Sequence, residues 1–272
     1  MGFYTDNGYE LRISEAKFSE TSDCYAHKVD GVEKDFIYVG AYLGSVEAGR
    51  LRSKSGVAPT TNITLTNFRS YANNVGIGYQ QFNWFTLILL QNLYLIAYKN
   101  LNSQYALGYG YANGNYTTTN TGGANIKGLI YGETSGKQQM CFLGVEDFWG
   151  NVNQYIDGMK LDGSYNIIVT PDNKTFNSEA IGYKNVGKTA NSNIGGFISK
   201  VVHTNECAYF GKEFNGDDAT YYSDFGQIRQ ERFASFGGSY ERSTQVGAFR
   251  LIVNDFANTY NFQTGSRLVF LG

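Results

Sequence analysis

The sequence predicts an α+β fold with long loops, in which two helices pack together on small antiparallel sheets. Strand-like segments open the chain, two helical segments lie between residues 64 and 100, and short strands separated by turns continue to the C-terminus. The chain shows no internal repeat, linker or charge block. We therefore expect one domain over residues 1–272, with residues 1–30 as an N-terminal strand extension.

The first elements are predicted from residue type and spacing. Aromatic and β-branched residues bounded by glycine indicate strands in residues 9–18 (YELRISEAKF) and 34–45 (KDFIYVGAYLGS). A helix is expected after Thr64, whose hydroxyl can cap it, and before Gly76 and Gly78. The apolar residues of this helix follow helical spacing at Leu65, Phe68, Ala72 and Val75.

A second helix is expected over about residues 83–100. Apolar residues surround it on almost every side, so it should lie in the interior. Helical signals then fade, and the Gly, Asn, Thr and Tyr of residues 107–125 are typical of a long loop. Short strands should follow, separated by turns at Asp162–Gly163, Pro171–Asp172 and Asn215–Gly216.

Composition excludes several classes of function. The net charge is −2 and no basic stripe is present, so we expect no nucleic-acid partner. The longest apolar run, residues 84–98, is too short for a bilayer and contains Gln91 and Asn92, so we expect no membrane insertion. The N-terminus lacks the apolar stretch of a signal peptide. The abundance of Tyr, Asn, Ser and Gly, with 22 Tyr and 33 Gly residues, is typical of binding loops.

The residues that could carry chemistry are sparse. Cys24, Cys141 and Cys207 form no spaced pair, so we expect free thiols, and His27 and His203 are too few for a histidine-rich metal site. The neighbouring acids Glu146–Asp147 and Asp217–Asp218 are interpreted as solvated turns. We expect no cofactor, with a calcium ion at Asp217–Asp218 as the alternative.

Two segments carry a resemblance to a known family. Residues 142–159 (FLGVEDFWGNVNQYIDGM) resemble the motif G-V/L-E-x-x-W-G-N-V-W-E-W-x-D-G of the formylglycine-generating-enzyme branch of the C-type lectin fold. The closing segment is similar at Gly237, Gly238, Ser239, Tyr240, Gly247, Phe249, Asn254, Gly265, Arg267 and Leu268. The region after Gly49 is similar to phage tail proteins that carry this domain. The resemblance covers residues 30–272 and implies a C-type-lectin-like fold.

The residue types of the motif also indicate a structural role for it. Trp149 would be a core anchor, Gly150 would permit a sharp turn, and Asn151 would bond neighbouring backbone, so the motif should form a structural corner. The sequence departs from the family at 153–155, where Asn153, Gln154 and Tyr155 replace W-E-W. Any role tied to the lost aromatic and carboxylate side chains is therefore in doubt.

The resemblance also bears on catalysis. The enzymes of this branch use a late thiol pair on a copper centre, and related iron enzymes use three histidines. This chain has no cysteine after Cys207 and two histidines in all. We therefore expect no enzymatic activity, and a degenerate enzyme of the branch is the remaining alternative.

Phage and bacterial members of the fold bind ligands through the C-terminal segment, which a retroelement diversifies in some of them. By this resemblance, we expect a buried frame and a set of displayed side chains. The frame residues would be Gly237, Gly238, Gly247, Phe249, Leu251, Val253, Gly265, Leu268 and Phe270, with Arg267 as a buried framework arginine. For Arg250, an ion pair with the frame and a position on the outer face both stay open. The displayed, ligand-binding residues would be Tyr240, Glu241, Arg242, Ser243, Asn254, Phe256, Asn258, Tyr260 and Phe262.

The function predicted from the sequence is a receptor-binding or adhesin module of a phage tail. It would recognise a polysaccharide or protein on the host surface, contact other tail proteins, and act in the virion or outside the cell. The symmetry of tail tips favours a homotrimer. The alternatives are a structural baseplate or decoration protein of the virion and a bacterial surface lectin-like protein.

Overall fold

The computed structural model describes residues 2–5, 8–11, 24–29, 31–202, 204–207, 209–220 and 222–272. The expected strand over residues 9–18 begins within a described hairpin, and its residues 12–18 lie outside the described part. His203 lies outside it too. The first seven strands are β1 (Gly2–Thr5), β2 (Gly8–Leu11), β3 (Lys28–Val29), β4 (Val32–Glu33), β5 (Ile37–Val39), β6 (Gly44–Glu47) and β7 (Arg50–Ser53).

The first predicted helix is confirmed as α1 (Leu65–Asn73). It begins because the Thr64 hydroxyl accepts a hydrogen bond from the Asn67 amide at 3.1 Å, and its buried side chains are Leu65, Phe68 and Ala72. The strand β8 (Tyr79–Gln81) follows it.

The second predicted helix is confirmed as α2 (Trp84–Tyr98). Its cap is the Asn83 side chain, which accepts from the Thr86 amide at 3.0 Å, and it ends at Lys99 in the left-handed conformation. A third helix, α3 (Ser103–Leu107), was not predicted. It is one turn long, too short for a hydrophobic period, and it starts where the Asn102 side chain accepts from the Tyr105 amide.

The long loop after α3 is confirmed, since no helix or strand occupies residues 108–140. The remaining strands are β9 (Cys141–Phe142), β10 (Val145–Glu146), β11 (Asn153–Leu161), β12 (Asn166–Val169), β13 (Lys184–Lys188), β14 (Ile194–Phe197), β15 (Lys200–Val201), β16 (Gly211–Glu213), β17 (Phe225–Ile228), β18 (Phe233–Phe236), β19 (Leu251–Asp255), β20 (Thr264–Gly265) and β21 (Leu268–Leu271). Asp162–Gly163 turns between β11 and β12 as expected. Asn215–Gly216 does not form a turn, because Gly216 bridges to Phe197.

The architecture is α+β, with few helices and a curled main sheet. That sheet has eight strands in the order β13-β12-β11-β18-β19-β17-β14, and β20 pairs beside β11. It is mixed rather than antiparallel, because the β17–β19 and β11–β20 pairs are parallel. The smaller sheets are antiparallel, and one of them, β5-β21-β8, joins the C-terminal strand to the first third of the chain.

The helices lie on opposite faces of β11, contrary to the expectation that they pack together. Side chains alternate along this strand. Tyr155 joins the cluster of α1 residues with Leu51 and Phe233, whereas Ile156 joins the larger core around α2. A bidentate ion pair also fixes α1 to β11, since Arg69 donates from Nε and NH2 to the Asp157 carboxylate at 2.7 and 2.8 Å. Asp157 accepts a further bond from Gln81 Nε2 at 2.7 Å.

Candidate ligand-binding surface

The Trp149–Gly150–Asn151 corner is structural, as expected. Trp149 is fully buried, and its Nε1 donates to the Gly108 carbonyl at 3.0 Å. Gly150 and Asn151 both have positive φ, 83° and 63°. The Asn151 side chain exchanges two hydrogen bonds with the backbone of Thr119, each at 3.1 Å, so it holds the long loop rather than only its own neighbours. The corner therefore connects the loop to the core.

Arg267 is a buried framework arginine. Its Nε donates to Gln154 Oε1 at 2.7 Å, NH1 to the Gly40 carbonyl at 2.7 Å, and NH2 to the carbonyls of Glu146 and Asp147 at 2.7 and 2.9 Å. Gln154, at the position where the family motif has glutamate, donates in turn to the Asp147 and Phe148 carbonyls. An amide here can both accept from Arg267 and donate to the corner, which a carboxylate cannot do.

The prediction that Glu146–Asp147 is a solvated turn is wrong. Both side chains are buried. The Glu146 carboxylate accepts from the backbone amides of Gly122 and Ala124 at 2.7 and 2.8 Å, so it orders the long loop. Asp147 Oδ2 accepts from Gln139 and Asn151 at 2.6 and 2.8 Å. Burial and the neighbouring Glu146 charge raise the pKa of Asp147 to about 7.

This pKa predicts how Asp147→Asn changes the pH dependence of stability. The usual pKa of 3.8 lies below the folded value, so between about pH 4 and 7 the folded protein holds a proton that the unfolded chain has lost. Asp147 therefore stabilises the protein less as pH rises, by ~1.4 kcal/mol per pH unit across this window. An asparagine carries no such proton. Urea unfolding should show Asp147→Asn gaining stability relative to the unaltered protein from pH 5 to pH 8.

The matched control for this prediction is Asp218→Asn, because Asp218 is exposed. Its pH dependence should follow that of the unaltered protein. If Asp147→Asn followed the same curve as well, the Asp147 carboxyl would not hold its proton in the folded state.

In the C-terminal segment, most of the predicted frame residues are buried and the predicted ligand-binding residues are exposed or half-buried. Gly237, Gly238, Gly247, Phe249, Leu251, Val253 and Gly265 are buried, whereas the predicted frame residues Leu268 and Phe270 are half-buried. Gly237 and Gly238 have φ of 92° and 97°, a conformation that favours glycine. None of the nine predicted ligand-binding residues is buried. Glu241, Phe256, Asn258, Tyr260 and Phe262 are exposed, and Tyr240, Arg242, Ser243 and Asn254 are half-buried.

Two loops bring most of these residues together. We define the display surface as residues 240–243 and 256–262. Arg242 NH2 donates to Gln263 Oε1 at 2.7 Å, and Gln263 Nε2 donates to the Glu241 carboxylate, so the two loops are bonded to each other. Asn254 does not join this network. Its Nδ2 donates to Gln227 Oε1 on β17 at 3.3 Å.

The display surface stands on main-chain anchors. The Tyr240 amide donates to the Asn151 carbonyl at 2.9 Å, and the Ser243 amide donates to the Ala112 carbonyl at 2.7 Å. In the second loop, the Asn62 amide donates to the Asn261 carbonyl at 2.9 Å. Backbone atoms thus fix both loops, and several aromatic side chains remain at the surface. Phe262, for example, keeps 71% of its surface exposed.

Sequence reasoning missed three side chains of this region. The Arg232 guanidinium lies 3.4 Å from the centre of the Phe256 ring, a cation–π contact. Gln263 connects the two loops, as described. Tyr116 is almost fully exposed, and the amide of its neighbour Asn115 donates to the Tyr240 carbonyl at 3.3 Å. Tyr116 is distant in sequence, and no local pattern relates it to the C-terminal segment.

The sequence left open whether Arg250 forms an ion pair or faces outward. In the structure it is buried and forms no ion pair with a described residue. It is 3% exposed, and its NH1 donates to Asn153 Oδ1 at 2.6 Å. Within the described part of the chain, no carboxylate forms an ion pair with it.

The thiols of the described residues do not pair with one another. Cys24, Cys141 and Cys207 are free, as expected, and burial raises the pKa of Cys207 to about 12. Over the described ranges, no three His, Cys, Asp or Glu side chains are grouped so that they could hold a metal ion. At the alternative calcium position, Asp217 Oδ1 accepts from the Ala219 amide at 2.9 Å.

Comparison with known proteins gives no family for this chain: no family model matches it, and neither does any curated protein. None of the helices that the structure describes has the length and apolar character needed to cross a membrane.

Proposed function

We propose that the chain is a non-enzymatic receptor-binding module, of the phage-tail adhesin type, that recognises a host-surface ligand through the display surface. The observation that carries the proposal is the division of the C-terminal segment. Most of its glycines and aliphatic residues lie in the core, whereas the aromatic and polar side chains of residues 240–243 and 256–262 are wholly or partly exposed on anchored loops. A rigid frame with exposed Tyr, Phe and Arg side chains is suited to binding, because these residues give large contact area at low entropic cost.

The C-type-lectin-like fold belongs to the same proposal. It is supported by the Trp149–Gly150–Asn151 corner, by the buried Arg267, and by the C-terminal strand β21, which pairs between strands of the first third of the chain. In a virion, the module would contact other tail proteins and would act as a homotrimer. Its ligand would be a polysaccharide or a protein of the host surface, and its location would be the phage tail or the extracellular space.

A structural role in the virion is the second candidate, because the molecule has another aromatic face at its surface. Phe270 on β21 lies between Tyr38 of β5 and Tyr79 of β8, with ring centroids 5.8 and 4.7 Å away. Tyr38 is exposed and the other two are half-buried, and a partly exposed aromatic row of this kind is suited to assembly contacts. A baseplate or decoration protein would use it to contact neighbouring subunits.

Cell binding tests the proposal. A Tyr240→Ala, Phe256→Ala, Tyr260→Ala triple variant should lose at least about tenfold in affinity for bacterial cells that the unaltered protein binds, since it removes three anchors of about 1 kcal/mol or more each. Binding would be measured by flow cytometry on panels of bacteria and on arrays of surface glycans.

The matched control is Phe36→Ala, Tyr105→Ala, because both side chains are exposed aromatics outside the display surface. This control should bind as the unaltered protein does, and circular dichroism and sedimentation should show the same fold and oligomeric state for all three proteins. If no cell type were bound by the folded, unaltered protein, the receptor-binding function would be refuted in favour of the structural role.

A further inference from the structure

Arg242 and Arg250 are connected through two residues that are hydrogen-bonded to each other, Gln263 and Asn153. Arg242 NH2 donates to Gln263 Oε1 at 2.7 Å, and Arg250 NH1 donates to Asn153 Oδ1 at 2.6 Å. Asn153 in turn donates from its amide and from Nδ2 to the Gln263 carbonyl, at 2.8 and 3.1 Å. We call these four residues the arginine cluster. In this cluster, two positively charged guanidinium groups donate hydrogen bonds to the side-chain oxygens of two neighbouring amides.

Two hydrogen-bond donors of the arginine cluster have no acceptor among the described residues. Arg242 Nε and Arg250 Nε are both buried, and neither has a hydrogen-bond partner in the described part of the chain. The Thr264 hydroxyl, next to Gln263 and paired in register with Asn153, is buried and unpartnered as well. Buried polar atoms are normally satisfied, so these atoms leave hydrogen-bonding capacity around Asn153 and Gln263 that no side chain or backbone group of the described residues uses.

Arg267 shows what a purely structural arginine looks like in this protein. It is equally buried, yet its Nε, NH1 and NH2 all donate, to four acceptors in total. Arg250 has one acceptor. The difference indicates that the fold can satisfy a buried arginine fully and has not done so at Arg250.

The charge balance of the cluster is also incomplete. The nearest acid to Arg242 is Glu241, at 3.9 Å from NH2, in a position where both side chains are part-exposed. Asp224 lies farther from Arg250 than an ion pair allows. Burial also raises the pKa of Asp224 well above its usual value. Burial, together with the Arg242 charge, lowers the pKa of Arg250 to about 9. One positive charge is therefore left without a counter-charge.

We propose that the arginine cluster binds the singly charged oxyanion, a carboxylate or a sulfate ester, of an acidic sugar on the receptor. Arg242, whose side chain is 39% exposed, contacts the anion, and Arg250 supplies the second positive charge beneath it. The exposed rings of Phe262 and Tyr116, beside the two loops of the cluster, stack on the sugar. This inference rests on the proposed receptor-binding function and names the chemistry of its ligand.

Nuclear magnetic resonance tests the proposal on the intact chain. Methyl glucuronide, a sulfated methyl galactoside and neutral methyl glucoside are titrated at constant ionic strength, and the Nε–Hε signals of Arg242 and Arg250 are followed. At least one of the two acidic sugars should shift both signals saturably, and the neutral sugar should not. Whichever acidic sugar acts identifies the group as carboxylate or sulfate.

Arg242→Gln should weaken this binding at least about tenfold, because it removes a charge-assisted contact. Arg229→Gln is the matched control, since Arg229 is an exposed arginine outside the cluster, and it should bind as the unaltered protein does. Arg242 is part-exposed, so its variant should fold, and circular dichroism would check this.

The inference and the function on which it rests fail differently. If the protein bound cells through the display surface but neither acidic sugar shifted the arginine signals, the acidic-sugar inference would be wrong and the receptor-binding function would stand. Competition of cell binding by polyglutamate but by neither acidic sugar would likewise overturn it, in favour of an acidic protein receptor. If no cells were bound, the proposed function itself would fail.

Discussion

Arg267→Met is expected to destabilise the folded protein by about 4 kcal/mol or more. Methionine fills similar volume but donates no hydrogen bond, so the carbonyls of Gly40 and Glu146 and the Gln154 amide oxygen lose their donor in the interior. The Asp147 carbonyl keeps only the bond from Gln154 Nε2. Each buried acceptor left without a partner costs about 1–3 kcal/mol. The loss is a large part of a typical folding free energy of about 5–15 kcal/mol. Guanidinium unfolding would measure it.

Two further variants make this test specific. Arg229→Met removes an exposed arginine and should change stability by less than about 0.5 kcal/mol. Arg267→Lys keeps the charge but cannot reach four acceptors in the plane of a guanidinium, so its loss should fall between the other two. An Arg267→Met protein as stable as the unaltered one would mean that these carbonyls have other partners in solution.

Asp157→Asn is expected to cost about 3–5 kcal/mol, because it leaves the largely buried Arg69 without its counter-charge. The Asp157 carboxylate accepts from Arg69, from Gln81 and from the Gly158 amide, so every lone-pair direction is used. An asparagine presents an NH₂ group to one of these donors. Since Asp157 joins α1 to β11, hydrogen exchange should show the amides of α1 losing protection first.

The control for Asp157 is an exposed ion pair of the same protein. Lys54 and Glu47 are about half exposed, and Glu47→Gln should change stability by less than about 1 kcal/mol. A double-mutant cycle with Arg69→Met would isolate the Arg69–Asp157 interaction. A coupling free energy near zero in that cycle would contradict the role assigned to this pair.

Local signals were sufficient for much of the fold. The cap Thr64 predicted where α1 begins, and the helical spacing of Leu65, Phe68 and Ala72 predicted its buried face. The apolar run of residues 84–98 predicted α2 and its position in the interior. The division of the C-terminal segment into buried and exposed residues was predicted from its motif, since glycines and apolar residues there recur in the family pattern.

The errors came from partners that are distant in sequence. Glu146 is buried because the amides of Gly122 and Ala124, more than twenty residues away, satisfy its carboxylate. The separation of α1 from α2 depends on which face of β11 each helix covers, and strand spacing does not show this. The arginine cluster depends on Asn153, which lies 97 residues before Arg250 in the chain.

The main-chain anchors of the display surface bear on how such a protein can change. Tyr240 and Ser243 are fixed through their own amide nitrogens, to carbonyls of residues 151 and 112, and Asn261 is held through its carbonyl oxygen. At residue 240 every amino acid except proline brings the same amide group. Natural or laboratory libraries can therefore replace wholly or partly exposed side chains that make no bond within the loops, such as those of Tyr240, Tyr260 and Phe262, while each member keeps the same scaffold. At these positions selection can act on affinity almost independently of folding.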